Sequence, residues 1–265
     1  MTIETIGIIA DLHCGSKCGL LPPSYWNDYT PDAIKWLWEQ YTTLLTLWPK
    51  RLDLLIINGD PIDGKQSRAA GTGLVDNDLS GQVRIAIECL EPFVERSGKT
   101  IRMCGTAYHE SFDGPLAALD EHFGITRPPT YQKEIIRDIE LEDGAILNIK
   151  HQPEGEGMLY RGTGYDRELL WATVTETLKH FPRATHIVRA HIHSDGHMRG
   201  FGKEINICPC WCFQAPYALH KKRYRWVPDI GAILMRRDPE GYKGYNTWIK
   251  TFPIPAEGAD SYDDL

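Results

Sequence analysis

Five short apolar runs in this chain each give way to a polar segment carrying Asp or His, and that recurrence limits the folds open to it. Thr5 to Ala10 runs into Asp11-Leu12-His13, and Leu52 to Asn58 into Gly59-Asp60-Pro61-Ile62-Asp63. Thr100 to Cys104 precedes Gly105-Thr106-Ala107-Tyr108-His109-Glu110, Ala145 to Lys150 precedes His151, and Thr185 to Ala190 precedes His191-Ile192-His193. Short, continuous, β-branched runs of this kind read as buried strands. A helix is expected after the first, with Thr30 as N-cap, Pro31 at the first helical position and Asp32 at the positive end. Its stripe of Ile34, Leu37, Trp38, Tyr41, Leu45 and Trp48 steps by three and four, so the tryptophans read as core rather than as a ligand platform. A second helix is expected from about Leu79 to Glu95. Strand, helix, strand, helix, strand with apolar strands predicts a parallel sheet covered on both faces.

Further along, a short helix is expected near Pro115 to Phe123, and a hairpin turn at Glu142-Asp143-Gly144 between Glu134 to Leu141 and Ala145 to Lys150. A helix from roughly Asp166 to His180 follows, then further strands and turns from about Met198, and an acidic tail over 256–265. With no repeat and no linker, residues 1–255 read as one domain. Hydrophobic residues at 42% and charged residues at 25% give a globular balance. A net charge of −7 supplies no global attraction to duplex nucleic acid. No apolar segment is long enough to span a bilayer, and Ile6 to Ala10 is too short for an export signal. The seven cysteines therefore read as reduced thiols of a cytoplasmic protein, with oligomeric state unspecified.

Alternate residues of an extended chain point the same way, so Asp11 with His13, and His191 with His193, can each reach one ion. Asp60 offers two oxygens able to bridge two ions. One Asp-x-His means little alone; five such groups at strand ends are a metal-site pattern, because ligands of open α/β sheets gather outside the carboxyl ends of the strands. Mixed imidazole and carboxylate donors favour Mn²⁺, Fe, Zn²⁺ or Ni²⁺ over Mg²⁺.

The ordered set Asp11-x-His13, Gly59-Asp60-x-x-Asp63, Gly105…His109-Glu110, His151 and His191-x-His193 resembles the calcineurin-like metallophosphoesterases over about Ile6 to His193. The resemblance implies a four-layer α/β/β/α fold, a β-sandwich flanked by helices. It implies that Asp11, His13, Asp60 and His193 hold one divalent ion while Asp60, His151 and His191 hold the other, Mn²⁺ being the leading choice. It also implies hydrolysis of phosphate mono- or diesters, by a hydroxide bridging the two ions, with a nucleotide or nucleic acid among the candidate substrates. A nuclease is the alternative activity, and a binding or scaffolding protein with a degraded second metal site the alternative without one. His109, oriented by Glu110 or Asp63, would protonate the departing oxygen; Asp63 serves equally well as a residue that orients a ligand.

Two departures from that family stand out. Its third motif is usually Gly-Asn-His and an acid, whereas this chain has no Asn and two extra residues, so either Thr106 or His109 would take the Asn's place. The Gly-Thr-x-x-His version resembles divergent phage-encoded members. Ala190 stands where Gly usually precedes the His-x-His pair. The Gly64 to Asp78 loop, with Lys65 and Arg68, is a candidate substrate cover. Cys208, Cys210 and Cys212 alternate; packed thiols on one strand face are preferred over a zinc site with Cys14 and Cys18. His220-Lys221-Lys222-Arg223-Tyr224-Arg225-Trp226 fits either a nucleotide-gripping segment or a solvated basic loop.

Overall fold

A computed structural model describes residues 2–67, 70–110, 114–128, 130–154, 161–214 and 227–255. Arg68, the basic stretch from His220 to Trp226 and the acidic tail 256–265 lie outside the described residues. In chain order the elements are β1 (Thr5–Ile9), α1 (Asp32–Leu47), β2 (Leu54–Asn58), α2 (Leu79–Val94), β3 (Thr100–Met103), α3 (Leu116–His122), α4 (Tyr131–Ile135) and β4 (Ile136–Glu140). Then come β5 (Ile146–Lys150), α5 (Arg161–Thr177), β6 (His186–Arg189), β7 (Gly196–Gly200), β8 (Lys203–Ile207), β9 (Ile230–Tyr242) and β10 (Tyr245–Phe252).

The strands form two five-stranded sheets, ordered β10-β9-β1-β2-β3 and β4-β5-β6-β8-β7. Period-two alternation within each strand explains why the sheets stack. Ile6 and Ile8 of β1, Leu54 and Ile56 of β2, and Ile233 and Met235 of β9 meet Leu147, Ile149 and Val188 in one buried cluster between the sheets. Their sequence neighbours Ile9, Leu55 and Ile57 face the other way and pack on α1 and α2 through Leu37, Tyr41, Val83, Cys89 and Phe93. On the far side, Ile187, Ile205 and Ile207 bury against Tyr165 and Leu169 of α5. The result is four layers, α/β/β/α.

Both sheets are mixed rather than parallel throughout. β1, β2 and β3 pair in parallel, but β9 joins β1 antiparallel and carries β10 as an antiparallel edge. The expectation of one parallel sheet thus holds for the first three strands, where crossover helices separate them, and fails where hairpins take over. The N-cap assignment also shifts by one residue. Pro31 takes the extended capping conformation before Asp32, and the Thr30 hydroxyl accepts the Asn27 N–H at 2.9 Å instead of capping the helix. Cys208 to Cys212 is not a strand: Cys208 lies in the inter-sheet core, whereas Cys210 and Cys212 pack with Cys14 and Cys18 on the helix side. All seven thiols are free.

α5 is tied to its sheet by a buried ion pair. Arg189 on β6 donates from Nη2 to Glu168 Oε2 at 2.9 Å and to Asn148 Oδ1 at 2.8 Å. Removing one partner of such a pair strands the other charge away from water. Glu168→Ala is accordingly expected to lower unfolding free energy by about 3–5 kcal/mol. Urea denaturation reads this directly, and a loss under roughly 1 kcal/mol would show the pair to be replaceable by solvent.

Candidate metal centre

Every strand-end group converges on one buried point at the seam between the sheets. Asp11, His13 and His193 form one group of three donors, Asp60, His151 and His191 a second, and His13, Asp60 and His109 a third spanning the two. His13 Nε2 lies 3.1 Å from His193 Nε2 and 3.7 Å from Asp11 Oδ1, with His193 Nε2 3.4 Å from the same oxygen. Donors about 2.0–2.1 Å from one tetrahedral ion stand roughly 3.3 Å apart, so this triangle matches a divalent cation's reach. His151 Nε2 lies 3.1 Å from Asp60 Oδ2 and 3.7 Å from Asp11 Oδ1. Asp11 Oδ1 is buried and accepts no hydrogen bond, although three imidazoles surround it. A buried carboxylate oxygen left in that state fits a cation ligand.

The imidazoles are aimed from behind. His13 donates Nδ1–H to Asp63 Oδ1 at 3.0 Å, His151 to the Asn58 carbonyl at 2.6 Å and His109 to the Asp63 carbonyl at 2.6 Å. With Nδ1 engaged, each ring presents Nε2 to the centre. Asp63 therefore orients His13 with its carboxylate and His109 with its backbone. Gln66 Nε2 completes the Asp63 hydrogen bonding at 2.5 Å.

The turns that carry these groups are unusual. Asp11 (φ 53°), His13 (φ 46°), Asp60 (φ 49°), His191 (φ 70°) and His193 (φ 51°) all sit in the left-handed region. Asp and His tolerate that region better than most residues, yet each such position costs of order 1–3 kcal/mol. Two glycines make room. A side chain at Gly59 (φ 84°) would run into the His151 ring, and one at Gly105 into the Asp60 carboxylate.

Glu110 does not orient His109. Its Oε1 accepts the Asp60 N–H at 3.0 Å and its Oε2 pairs with Arg102 Nη1 at 3.0 Å. Arg102 in turn grips Asp120 of α3 through Nε at 2.8 Å and Nη2 at 2.9 Å. The acid after His109 thus braces the Asp60 backbone, and its pairing with Arg102 turns it away from the histidine. Thr106 follows Gly105 just after β3 and meets the Asp60 carboxylate. Its N–H donates to Asp60 Oδ1 at 2.8 Å and its hydroxyl stands 3.2 Å from Oδ2, so it restrains the Asp60 carboxylate. Lys65 is exposed on the loop leaving Asp63. Gln82 of α2 holds that loop by accepting the Gly64 N–H at 2.8 Å and donating to the Gly64 carbonyl at 2.9 Å. Gln66, Gln82 and Arg102 carry no local motif, and only the folded contacts reveal them.

Electrostatics follow from packing carboxylates and imidazoles together. Burial opposes charge on His151, but Asp60 and Asp11 outweigh it and raise the ring to about 9. Burial likewise opposes charge on His193, and Cys210 and Asp11 outweigh it to give about 10. Asp11 and Asp60 are driven the other way: burial alone would raise them, and His151 leads the neighbours that hold both well below the usual carboxylate range. A crevice of about 530 Å³ lies at the opposite end of the strands. Its Arg237 is engaged by Asp143 at 2.9 Å, and it contains none of these ligands.

No family model and no curated protein matches this chain. Among solved structures, Vps29 from Chaetomium thermophilum is similar at 10% identity and a TM-score of 0.48, covering 96% of this chain and 100% of that one. Zn²⁺-complexed Vps29 from Entamoeba histolytica is similar at 11% identity and TM-score 0.47, covering 94% and 99%. A predicted phosphoesterase from Streptococcus pneumoniae is similar at 11% identity and TM-score 0.39, covering 94% and 99%. Likeness at this level carries no statement about the chemistry of the centre.

Two outcomes are expected. Because His151 at about 9 and His193 at about 10 are protonated at pH 7, a cation must displace their protons to reach Nε2. Metal titration at pH 7 in buffers of different ionisation enthalpy should report protons released, with apparent affinity rising as pH climbs towards 9–10. A heat independent of buffer would contradict this. Asp63→Ala should weaken metal affinity about 10–100-fold while the fold persists, because His13 loses its orienting acceptor; unchanged affinity would make Asp63 dispensable to the centre.

Proposed function

We propose that this chain is a metal-dependent phosphoesterase acting on phosphate mono- or diesters. The observation that carries this reading is the position of Asp60, shared between the His151–His191 group and the His13–His109 group. In this reading Asp11, His13, Asp60 and His193 hold one divalent ion and Asp60, His151 and His191 the other, with Mn²⁺ the first metal to try. Bound there, two ions would offset the negative charge of a phosphate ester and make water acidic enough to serve as nucleophile near neutral pH.

The chain's own residues supply the rest. Asp63 fixes the His13 ring, Glu110 and Thr106 fix Asp60, and the left-handed turns hold the ligands before substrate arrives. His109 is the proton donor to the departing oxygen, its Nδ1–H tied to the Asp63 carbonyl so that Nε2 faces the reacting group. Burial, and then His13, lower its proton affinity below the ordinary imidazole value, which makes the charged ring a willing donor. Lys65, together with Arg68 of the same loop, is proposed to contact the phosphate.

A second reading has a specific observation behind it. Thr106 directs both its N–H and its hydroxyl at Asp60, which leaves the second group with three side-chain donors, Asp60, His151 and His191. A binding protein that keeps one ion and no turnover would have that asymmetry.

The test separates the two. Protein loaded with Mn²⁺ is assayed on p-nitrophenyl phosphate, bis-p-nitrophenyl phosphate and single-stranded DNA, with metal content measured in parallel. Turnover with close to two ions per chain supports the phosphoesterase, and cleavage confined to DNA identifies it as a nuclease. Asp60→Asn should lose both metal and activity. His109→Ala should keep its metal and lose about 10²–10⁴-fold in kcat. One ion and no turnover on any ester would sink the hydrolase reading in favour of the binding protein.

A further inference from the structure

At the end of the strands away from the metal centre, two cations share a hollow without a hydrogen-bond partner of their own. The crevice of about 530 Å³ is walled by Asp143 before β5, Arg183 and Thr185 before β6, and Arg237 and Lys243 of the β9–β10 hairpin, so it spans the seam between the two sheets. His151 lies at the far end of β5, a strand of five residues, and at about 3.3 Å per residue the two places stand roughly 17 Å apart. Most polar groups in the crevice are matched. Asp143 takes Arg237 with both oxygens, Oδ1 at 3.1 Å and Oδ2 at 2.9 Å from Nη2. The Thr185 hydroxyl donates to the Ile146 carbonyl at 3.1 Å and accepts the Ile146 N–H at 2.9 Å. Arg183 and Lys243 are the exceptions. Arg183 Nε stands 3.6 Å from Glu176 Oε1, beyond hydrogen-bond reach, while Glu176 Oε2 is taken by Lys203. Lys243, exposed at the hairpin turn, has neither an ion pair nor a hydrogen bond among the described residues.

We propose that this crevice is a second binding site, for a small soluble phosphate compound carrying two or more negative charges, held between Arg183 beside one sheet and Lys243 of the other. The charge balance sets the class of ligand. With Arg237 and Asp143 neutralising each other, the walls keep two positive charges, and a singly charged occupant would leave one of them unmatched. A guanidinium fork suits two oxygens of one phosphate, and an ammonium supplies a point charge to another oxygen. Size narrows the choice further. The volume falls in the range of about 300–1,000 Å³ found for small-molecule sites, which is more than a lone phosphate fills. The chain's net charge of −7 repels an approaching anion in proportion to the charge that comes near, so a short polyanion is favoured over a nucleic acid strand. The site is separate from the candidate metal centre and does not rest on the phosphoesterase reading.

The probe is inorganic pyrophosphate, titrated calorimetrically into the full chain after divalent ions have been removed by chelation. Wild-type protein is expected to bind one pyrophosphate per chain, more weakly as NaCl is added. Arg183→Gln and Lys243→Asn should each weaken binding about tenfold, the worth of one hydrogen bond to a charged group, and the double variant should show no saturation. Asn is chosen because Lys243 sits in the left-handed region (φ 49°), which Asn tolerates. Lys243→Arg should retain binding. Both positions are exposed, so the variants are expected to keep the wild-type urea midpoint. Should Lys243→Asn shift that midpoint, Arg183→Gln, outside the hairpin, decides alone. No saturable binding by the wild type overturns the proposal. Binding that persists unchanged in Arg183→Gln does the same, because the anion then sits elsewhere. The probe is read without metal or turnover, so neither result bears on the hydrolase reading.

Discussion

The left-handed backbone at five residues of the candidate metal centre is the constraint on which the rest of this structure depends. Asp11, His13, Asp60, His191 and His193 each leave a strand and turn back at once, which swings the side chain across the end of the sheet instead of onward into solvent. Such turns do not persist unaided. The Asp11 N–H is held by the Gly59 carbonyl at 3.1 Å, the His13 N–H by Asp60 at 3.1 Å, and the His191 N–H by Asp11 Oδ2 at 3.1 Å. The neighbouring strand ends therefore cap one another, and the conformational cost is met by hydrogen bonds that also fix the ligands.

A second requirement is charge. Three buried aspartates, Asp11, Asp60 and Asp63, share one seam with five partly or fully buried histidines. Imidazolium protons balance those carboxylates when no other cation does, which is why His13, His151 and His193 gain proton affinity and the aspartates lose it. Arg102, Glu110 and Asp120 form a separate buried chain of ion pairs behind Asp60. Its function is steric and electrostatic at once: it keeps Glu110 on the Asp60 amide and holds α3 against β3.

Much of this was legible in the primary sequence, for identifiable reasons. Hydrophobic periodicity located β1, β2, β3 and α2 to within a residue or two, because those segments have one dominant burial pattern each. The Asp and His residues that meet at the candidate centre stood out through residue type at strand ends. Their supports did not. Gln66, Gln82 and Arg102 are ordinary residues whose meaning comes from contacts 3 to 18 positions away or more, such as Gln82 with Gly64 and Arg102 with Asp120. The role expected of Glu110 failed because adjacency in sequence does not fix direction in a turn, and a buried arginine decided it. The antiparallel half of the first sheet was hidden because β9 and β10 alternate less cleanly and lie far along the chain from β1.

The candidate ligands come from both halves of the sandwich. Asp11, Asp60 and His109 follow strands of the first sheet, and His151, His191 and His193 follow strands of the second. An ion held by this set is thus a rivet through two plates, and its grip is inherited from how well the plates already fit. Residues such as Ile56 and Val188, buried between the sheets, set the spacing on which that grip relies. Affinity for metal and cohesion of the core are then two readings of one quantity, and drift in either is felt by the other.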